Sequence, residues 1–156
     1  MTTDPGAIRR PLAVVFVAAV ALTGCSSGPK LVKVEGKVYV DDALVQTGPT
    51  VTGYVVFHAD AARGNTNLED TKAEIGPDGT YTVYTRDKEG APVGWYFVTV
   101  DLARTNPNDP YEYKPIVSER YLDKTKSRLA FEVIAKPEPG RYDIRLESFG
   151  KEKGKQ

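Results

Sequence analysis

The sequence predicts an all-β fold, a seven-stranded antiparallel sandwich of two sheets, on three observations. From Lys30 onward no stretch carries apolar residues at helical spacing for three turns, seven runs alternate apolar with polar residues, and Gly- and Pro-rich clusters separate the runs. A sheet with one apolar face must bury it, and a second sheet does so in a sandwich.

In chain order, the first run is Lys33 to Val40, with valines on one face and Lys33, Glu35 and Lys37 on the other. Val51, Gly53, Val55 and Phe57 form the second inward set. Thr71–Ile75 and Thr80–Thr85 flank Gly76-Pro77-Asp78-Gly79, where Pro presets the turn dihedral, Asp bonds its own backbone and Gly tolerates positive φ, so the third and fourth runs form a hairpin. Gly94, Tyr96, Val98 and Val100 make the fifth set, with Tyr96 expected on the sheet facing that of Phe57. Leu129, Phe131 and Val133 make the sixth; Tyr142, Ile144 and Leu146 make the seventh, after the turn Lys136–Gly140.

Two segments break the even spacing. Asp60–Asp70 is polar and reads as a mobile loop, and Leu102–Ser127, rich in Asn, Pro and Tyr, is too long for a plain loop. Within the latter, Ser118–Leu122 can make one helical turn that docks Tyr121 and Leu122 on the sandwich.

The amino terminus reads as a targeting segment. Arg9 and Arg10 are followed by an unbroken apolar run, Leu12 to Leu22. A helix of that length reaches only about 16 Å, well short of a hydrocarbon layer of roughly 30 Å, so a permanent span is disfavoured. Leu22-Thr23-Gly24-Cys25 then resembles a bacterial lipobox, which implies cleavage before Cys25 and acylation of its sulfur. The expected organisation is a lipoprotein signal peptide at 1–24, a lipidated tether at 25–31, a sandwich at 32–147 and a disordered tail at 148–156. Removal of residues 1–24 leaves 19 basic and 20 acidic side chains, a nearly neutral surface.

Composition excludes several functions. The 156 residues suit one domain plus an appendage, and 21 Lys+Arg scattered against 21 Asp+Glu give no electrostatic footprint for nucleic acid. One Cys forbids an internal disulfide and any multi-cysteine metal centre. A thioether-linked lipid also removes that thiol from redox chemistry, which makes Cys25 an anchor rather than a nucleophile.

The order Val34-x-Gly36-x-Val38, Val55-x-Phe57, Gly76-Pro77-Asp78-Gly79-Thr80-Tyr81 and Gly90-Ala91-Pro92-Val93-Gly94-Trp95-Tyr96-x-Val98 resembles the transthyretin-like, carboxypeptidase regulatory-like domain. It is similar in particular to small planctomycete lipoproteins of that kind, in which a Tyr before a Ser-x-Leu-x-x-x-Val strand recurs, here Tyr121 then Ser127 to Val133. The resemblance covers about residues 32 to 147 and implies a Greek-key sandwich; its motifs are turn and core signatures that imply no activity.

Chemistry-bearing residues are sparse. His58 is the only histidine, opposite Phe57 on its strand, and no serine sits in a nucleophile elbow. One histidine cannot supply the two that intradiol dioxygenases use for iron, and the terminal Lys-Gly-Lys-Gln departs from the Tyr-Arg-Gly-Ser of hydroxyisourate hydrolases. The carboxylate pairs Asp41/Asp42 and Glu69/Asp70 read as turn and loop residues, since strand neighbours point to opposite faces. Asp60, Asn65, Asn67, Glu69 and Asp70 offer oxygen ligands but do not match a calcium-binding loop. No catalytic residue, metal or cofactor is expected.

The aromatic residues are more informative. Trp95, Phe97, Tyr54 and Tyr84 alternate with the inward sets, so four large rings fall on outer sheet faces. Left open, they form a candidate binding surface, either for a protein partner or for glycans, whose pyranose faces stack on flat rings. Covered by Leu102–Ser127 with Tyr111, Tyr113 and Ile116, they are core, and the candidate surface moves to the loops Asp60–Asp70 and Asn106–Asp109. The sequence therefore predicts a lipid-anchored bacterial envelope protein that binds or scaffolds without catalysis. The alternatives are an accessory lipoprotein docked on a larger membrane or secretion complex, and a hydrolase.

Overall fold

Alternation makes strands here almost throughout. The computed structural model describes residues 1–2 and 28–151, so Leu22, Thr23, Gly24, Cys25, most of the expected signal segment and residues 152–156 lie outside the described residues. The strands in chain order are β1 (Leu31–Val32), β2 (Glu35–Val40), β3 (Ala43–Leu44), β4 (Val51–Ala59), β5 (Thr71–Glu74), β6 (Thr80–Thr82) and β7 (Tyr84–Thr85). They continue with β8 (Lys88–Glu89), β9 (Ala91–Pro92), β10 (Gly94–Asn106), β11 (Asp109–Pro115), β12 (Leu129–Val133) and β13 (Ile144–Leu146). Two short 3-10 turns, Ala61–Arg63 and Glu119–Leu122, are the helical elements among the described residues, and no helix there is long and apolar enough to cross a membrane.

The protein is all-β, with a larger sheet in the order β11-β10-β4-β5-β7-β8, to which β12 adds on β10. The smaller sheet is β13-β2-β3 with β6 on β2, and β1 pairs with β9 as a separate ribbon. All seven alternating runs are strands, but the count and directions differ from the seven-stranded antiparallel expectation. The run Thr80–Thr85 divides at buried Val83: β6 pairs with β2 in the smaller sheet and β7 with β5 in the larger, while the Val83 N–H donates to Val34 O at 2.9 Å. The last strand, β13, runs parallel to β2. Its chain arrives by crossing from β12 in the other sheet rather than by a hairpin, and β2 has its antiparallel partners in β3 and β6.

The segment Leu102–Ser127 is not one long loop. Alternation carries β10 through Leu102, 1% exposed, to Asn106, and β11 returns antiparallel along Ala103–Asn106, adding to the sheet edge instead of folding over its face. The expected helical turn exists as Glu119–Leu122 and buries Tyr121, whose hydroxyl accepts the Glu147 N–H at 3.0 Å. Leu122 does not dock; it points outward and is exposed.

Both apolar faces meet in one core. Phe57 and Tyr96 are buried, but on neighbouring strands of the same sheet and not on facing sheets, with ring centroids 5.8 Å apart; the ring opposite Phe57 in the other sheet is Tyr81, at 6.4 Å. Phe131 of β12 stacks on Phe57 at 6.1 Å and meets Tyr142 edge-on at 5.9 Å. Where β2 passes the approach to β13, Gly36 is required: a Cβ there would lie 2.4 Å from the Tyr142 carbonyl oxygen, which already accepts the Tyr81 hydroxyl at 2.6 Å.

Turns follow their residues. Gly76 N–H donates to Thr80 O at 2.7 Å, and Asp78 Oδ1 accepts the Thr80 hydroxyl at 2.7 Å, a bond that holds the Asp78 carboxyl below its usual range. Asp41 and Asp42 close the β2–β3 hairpin with positive φ, 49° and 67°. Asp41 also accepts Lys151 Nζ at 2.8 Å, which lowers its carboxyl, and Ser148 bridges Val117, so the expected disordered tail is ordered as far as Lys151.

Candidate functional site

The outer face of the larger sheet carries the side chains that alternate with the core. Register places Phe97 beside His58, Thr99 beside Val56, and Asp101 beside Tyr54; Lys72 lies between Val56 and Tyr84, and Glu74 beside Tyr54. The four rings singled out from the sequence thus share one face, but they are not one patch. Trp95 and Phe97 sit at one end, and Tyr54 and Tyr84 lie beyond Val56 and Lys72.

The first pair is covered from within the domain, though not by Leu102–Ser127. The Arg63 guanidinium lies 4.5 Å from the Trp95 ring centroid and 5.8 Å from that of Phe97, leaving both rings half-buried. Asp60, 2% exposed, fixes that arginine: its Oδ2 is 3.2 Å from Arg63 Nε, and its Oδ1 accepts the Ala62 N–H at 3.1 Å. Asn65 donates from Nδ2 to Trp95 O at 2.8 Å and accepts the Asn67 N–H at 3.1 Å. The segment Asp60–Asp70 is therefore a fastened cap rather than the expected loose loop, held by the side chains of Asp60, Asn65 and Asn67.

Tyr54 and Tyr84 are 46% and 44% exposed. They flank a groove of about 510 Å³ whose polar lining includes Lys72, Glu74, Thr80 and Arg86. Lys72 and Glu74 of β5 stand between the strands that carry the two open phenol rings, while the Thr80 hydroxyl, bonded to Asp78, and the Arg86 guanidinium, paired with Glu69, complete the polar lining. Lys72 and Glu74 were legible as outward residues, since they alternate with Ala73 and Ile75; Arg86 and the capping Arg63 come from loops and had no such signal. At the sheet edge Tyr113 donates its hydroxyl to Asp101 Oδ1 at 2.6 Å; partial burial, then this bond to a carboxylate, pushes the phenol up to about 12.

His58 proves well connected. Its Nδ1 lies 3.0 Å from Asp70 Oδ2 and its Nε2 lies 2.9 Å from Thr99 Oγ1. With Nδ1–H donating to the carboxylate, Nε2 accepts the threonine hydroxyl, the order of a carboxylate–imidazole–nucleophile relay. Acyl transfer also needs donors aimed at a developing oxyanion and room for the acyl group. Thr99 is 9% exposed and sits mid-strand in register with Val56, so its hydroxyl has little open space around it. What the relay visibly does is tie the end of the cap to β4 and β10.

Compared with protein-family models, curated proteins and solved structures, the chain finds no match in any of the three. The site must therefore be read from its own chemistry. A second, wider groove of about 820 Å³ lies beside β1, β2 and β6, with Lys33, Lys37, Tyr81 and Pro137 among its lining. It holds no exposed ring pair of the Tyr54–Tyr84 kind.

Proposed function

We propose that the chain is a lipid-anchored, non-catalytic binding module of the bacterial cell envelope, built on a transthyretin-like Greek-key sandwich, which holds a glycan between Tyr54 and Tyr84. The observation that carries the ligand is the groove itself: two half-open rings with the Lys72 ammonium and the Glu74 carboxylate on the strand between them, and the Thr80 hydroxyl and Glu69-paired Arg86 on the same lining. Sugars present apolar C–H faces and hydroxyl edges, so rings for the faces and charged hydrogen-bonding groups for the edges are the complementary set. Trp95, the ring that the sequence favours equally, has its face occupied by Arg63, which moves the stacking site to the two tyrosines.

The anchor rests on the arginine-led apolar run and on Leu22-Thr23-Gly24-Cys25. Cys25→Ser is expected to abolish incorporation of labelled fatty acid; retained labelling would defeat the lipoprotein reading. For the ligand, residues 26–156 keep the whole core and suit a glycan array. Tyr54→Ala and Tyr84→Ala should each weaken the signal by about tenfold, while Trp95→Phe leaves it intact. Absence of any glycan signal, together with a protein crosslinked through Tyr84, would favour docking on a larger complex instead.

A further inference from the structure

The two most exposed leucine and valine side chains among the described residues, Leu68 and Val93, lie at one end of the sandwich. Leu31 of β1 pairs with Pro92 of β9, and the next residue, Val93, is 56% exposed. Gly94, with φ +140°, backs onto the Asn65 side chain, and Asn65 accepts the Asn67 N–H at 3.1 Å. Asn67 donates from Nδ2 to Glu69 O at 3.0 Å, and between them Leu68 stands 98% exposed. These contacts place β1, Val93 and Leu68 at the same end. Lys88 of β8 is there too: Gly90, two residues on, abuts Val32, and neighbouring Glu89 reaches Lys33 at 3.7 Å.

This is also the end at which the chain enters the fold. Leu31 lies six steps along the chain from Cys25, and covalent geometry limits that span to about 21 Å however the chain is arranged. Resting on the reading of Cys25 as lipidated, we infer that this end of the sandwich lies against the bilayer, with Leu68 and Val93 entering the headgroup layer. Two aliphatic side chains do not hold a protein on a membrane by themselves. A lipid anchor on the same chain keeps them at high effective concentration beside the surface, so a weak contact suffices to set the orientation. The hairpin of β10 and β11 then points away: β10 has 13 residues and places Asn106 about 40 Å from Gly94.

The lone cysteine makes the test clean, because acylation consumes it and any introduced thiol is unique. Full-length lipidated Leu68→Cys and Tyr111→Cys chains are labelled with nitrobenzoxadiazole and incorporated into phosphatidylcholine/phosphatidylglycerol vesicles, some carrying a headgroup-region nitroxide lipid. The label at Leu68 should lose at least about half its emission to the nitroxide, and the label at Tyr111, in the far hairpin, almost none, since contact quenching needs penetration of the interface. Chains that float with the vesicles yet show no quenching at Leu68, or equal quenching at both positions, overturn the orientation while leaving the anchor intact. Chains that do not float overturn the anchor and the orientation with it.

Discussion

Phe57→Ala is expected to cost about 3–5 kcal/mol, as truncation of a fully buried aromatic residue does. The ring touches three others, Tyr96 and Phe131 within its own sheet and Tyr81 across the core, so its loss leaves a cavity that neither sheet can fill alone. Its neighbour Val56 faces outward and is half-buried, and Val56→Ala should cost about 1 kcal/mol or less. Urea unfolding of the two variants, compared at equal m-values, checks both the magnitude and the register; equal losses would mean that β4 presents the other face to the core. In a domain of ordinary marginal stability, outright unfolding of the Phe57→Ala chain alone would be the extreme form of the expected loss.

Gly36→Ala should be nearly as damaging for a different reason. The added methyl would lie 2.4 Å from Tyr142 O and 2.8 Å from its carbonyl carbon, both backbone atoms that cannot swing aside. Overpacking of this sort costs about 1–3 kcal/mol, and separating β2 from Tyr142 also strains the Tyr81 hydroxyl bond to the same oxygen, leaving a buried phenol short of a partner at about 1–3 kcal/mol more. A double-mutant cycle separates the two effects. Tyr81→Phe should cost less in the Gly36→Ala background than in the natural chain, and strict additivity would show that the steric conflict relaxes elsewhere.

Much of this fold is legible because burial on one face imposes a period of two. Val34, Val38, Val55, Phe57, Tyr96, Val98, Val100, Ile144 and Leu146 are all buried where alternation puts them. What alternation does not carry is which strands are neighbours. Phe57 and Tyr96 point to the same core from either one sheet or two, and only the ladder between β4 and β10 decides it. The crossing at Val83 is silent for a similar reason, since a strand that changes sheets keeps its inward residues inward. β11 carries no alternation to read, because Pro115 and the exposed Tyr111 and Tyr113 belong to an edge strand. At the site, outward Tyr54, Tyr84, Trp95 and Phe97 follow from parity. The cap on Trp95 does not, because it depends on a loop arginine fixed by a buried aspartate three residues before it.

The parallel pairing of β2 with β13 has a consequence in time. The Lys37 N–H donates to Asp143 Oδ1 across 106 positions of sequence, so the strand made nearly first is completed by the strand made nearly last. At roughly 5–20 residues per second, a ribosome needs about 5–20 s to supply the partner that β2 awaits. During that interval Val34 and Val38 can collapse only onto an unfinished sheet, and any chain that stops short of Ile144 lacks the clasp altogether. Late closure therefore falls on the smaller sheet alone: every strand of the larger sheet has been made by Val133, and the face that covers it is finished only when β13 joins β2.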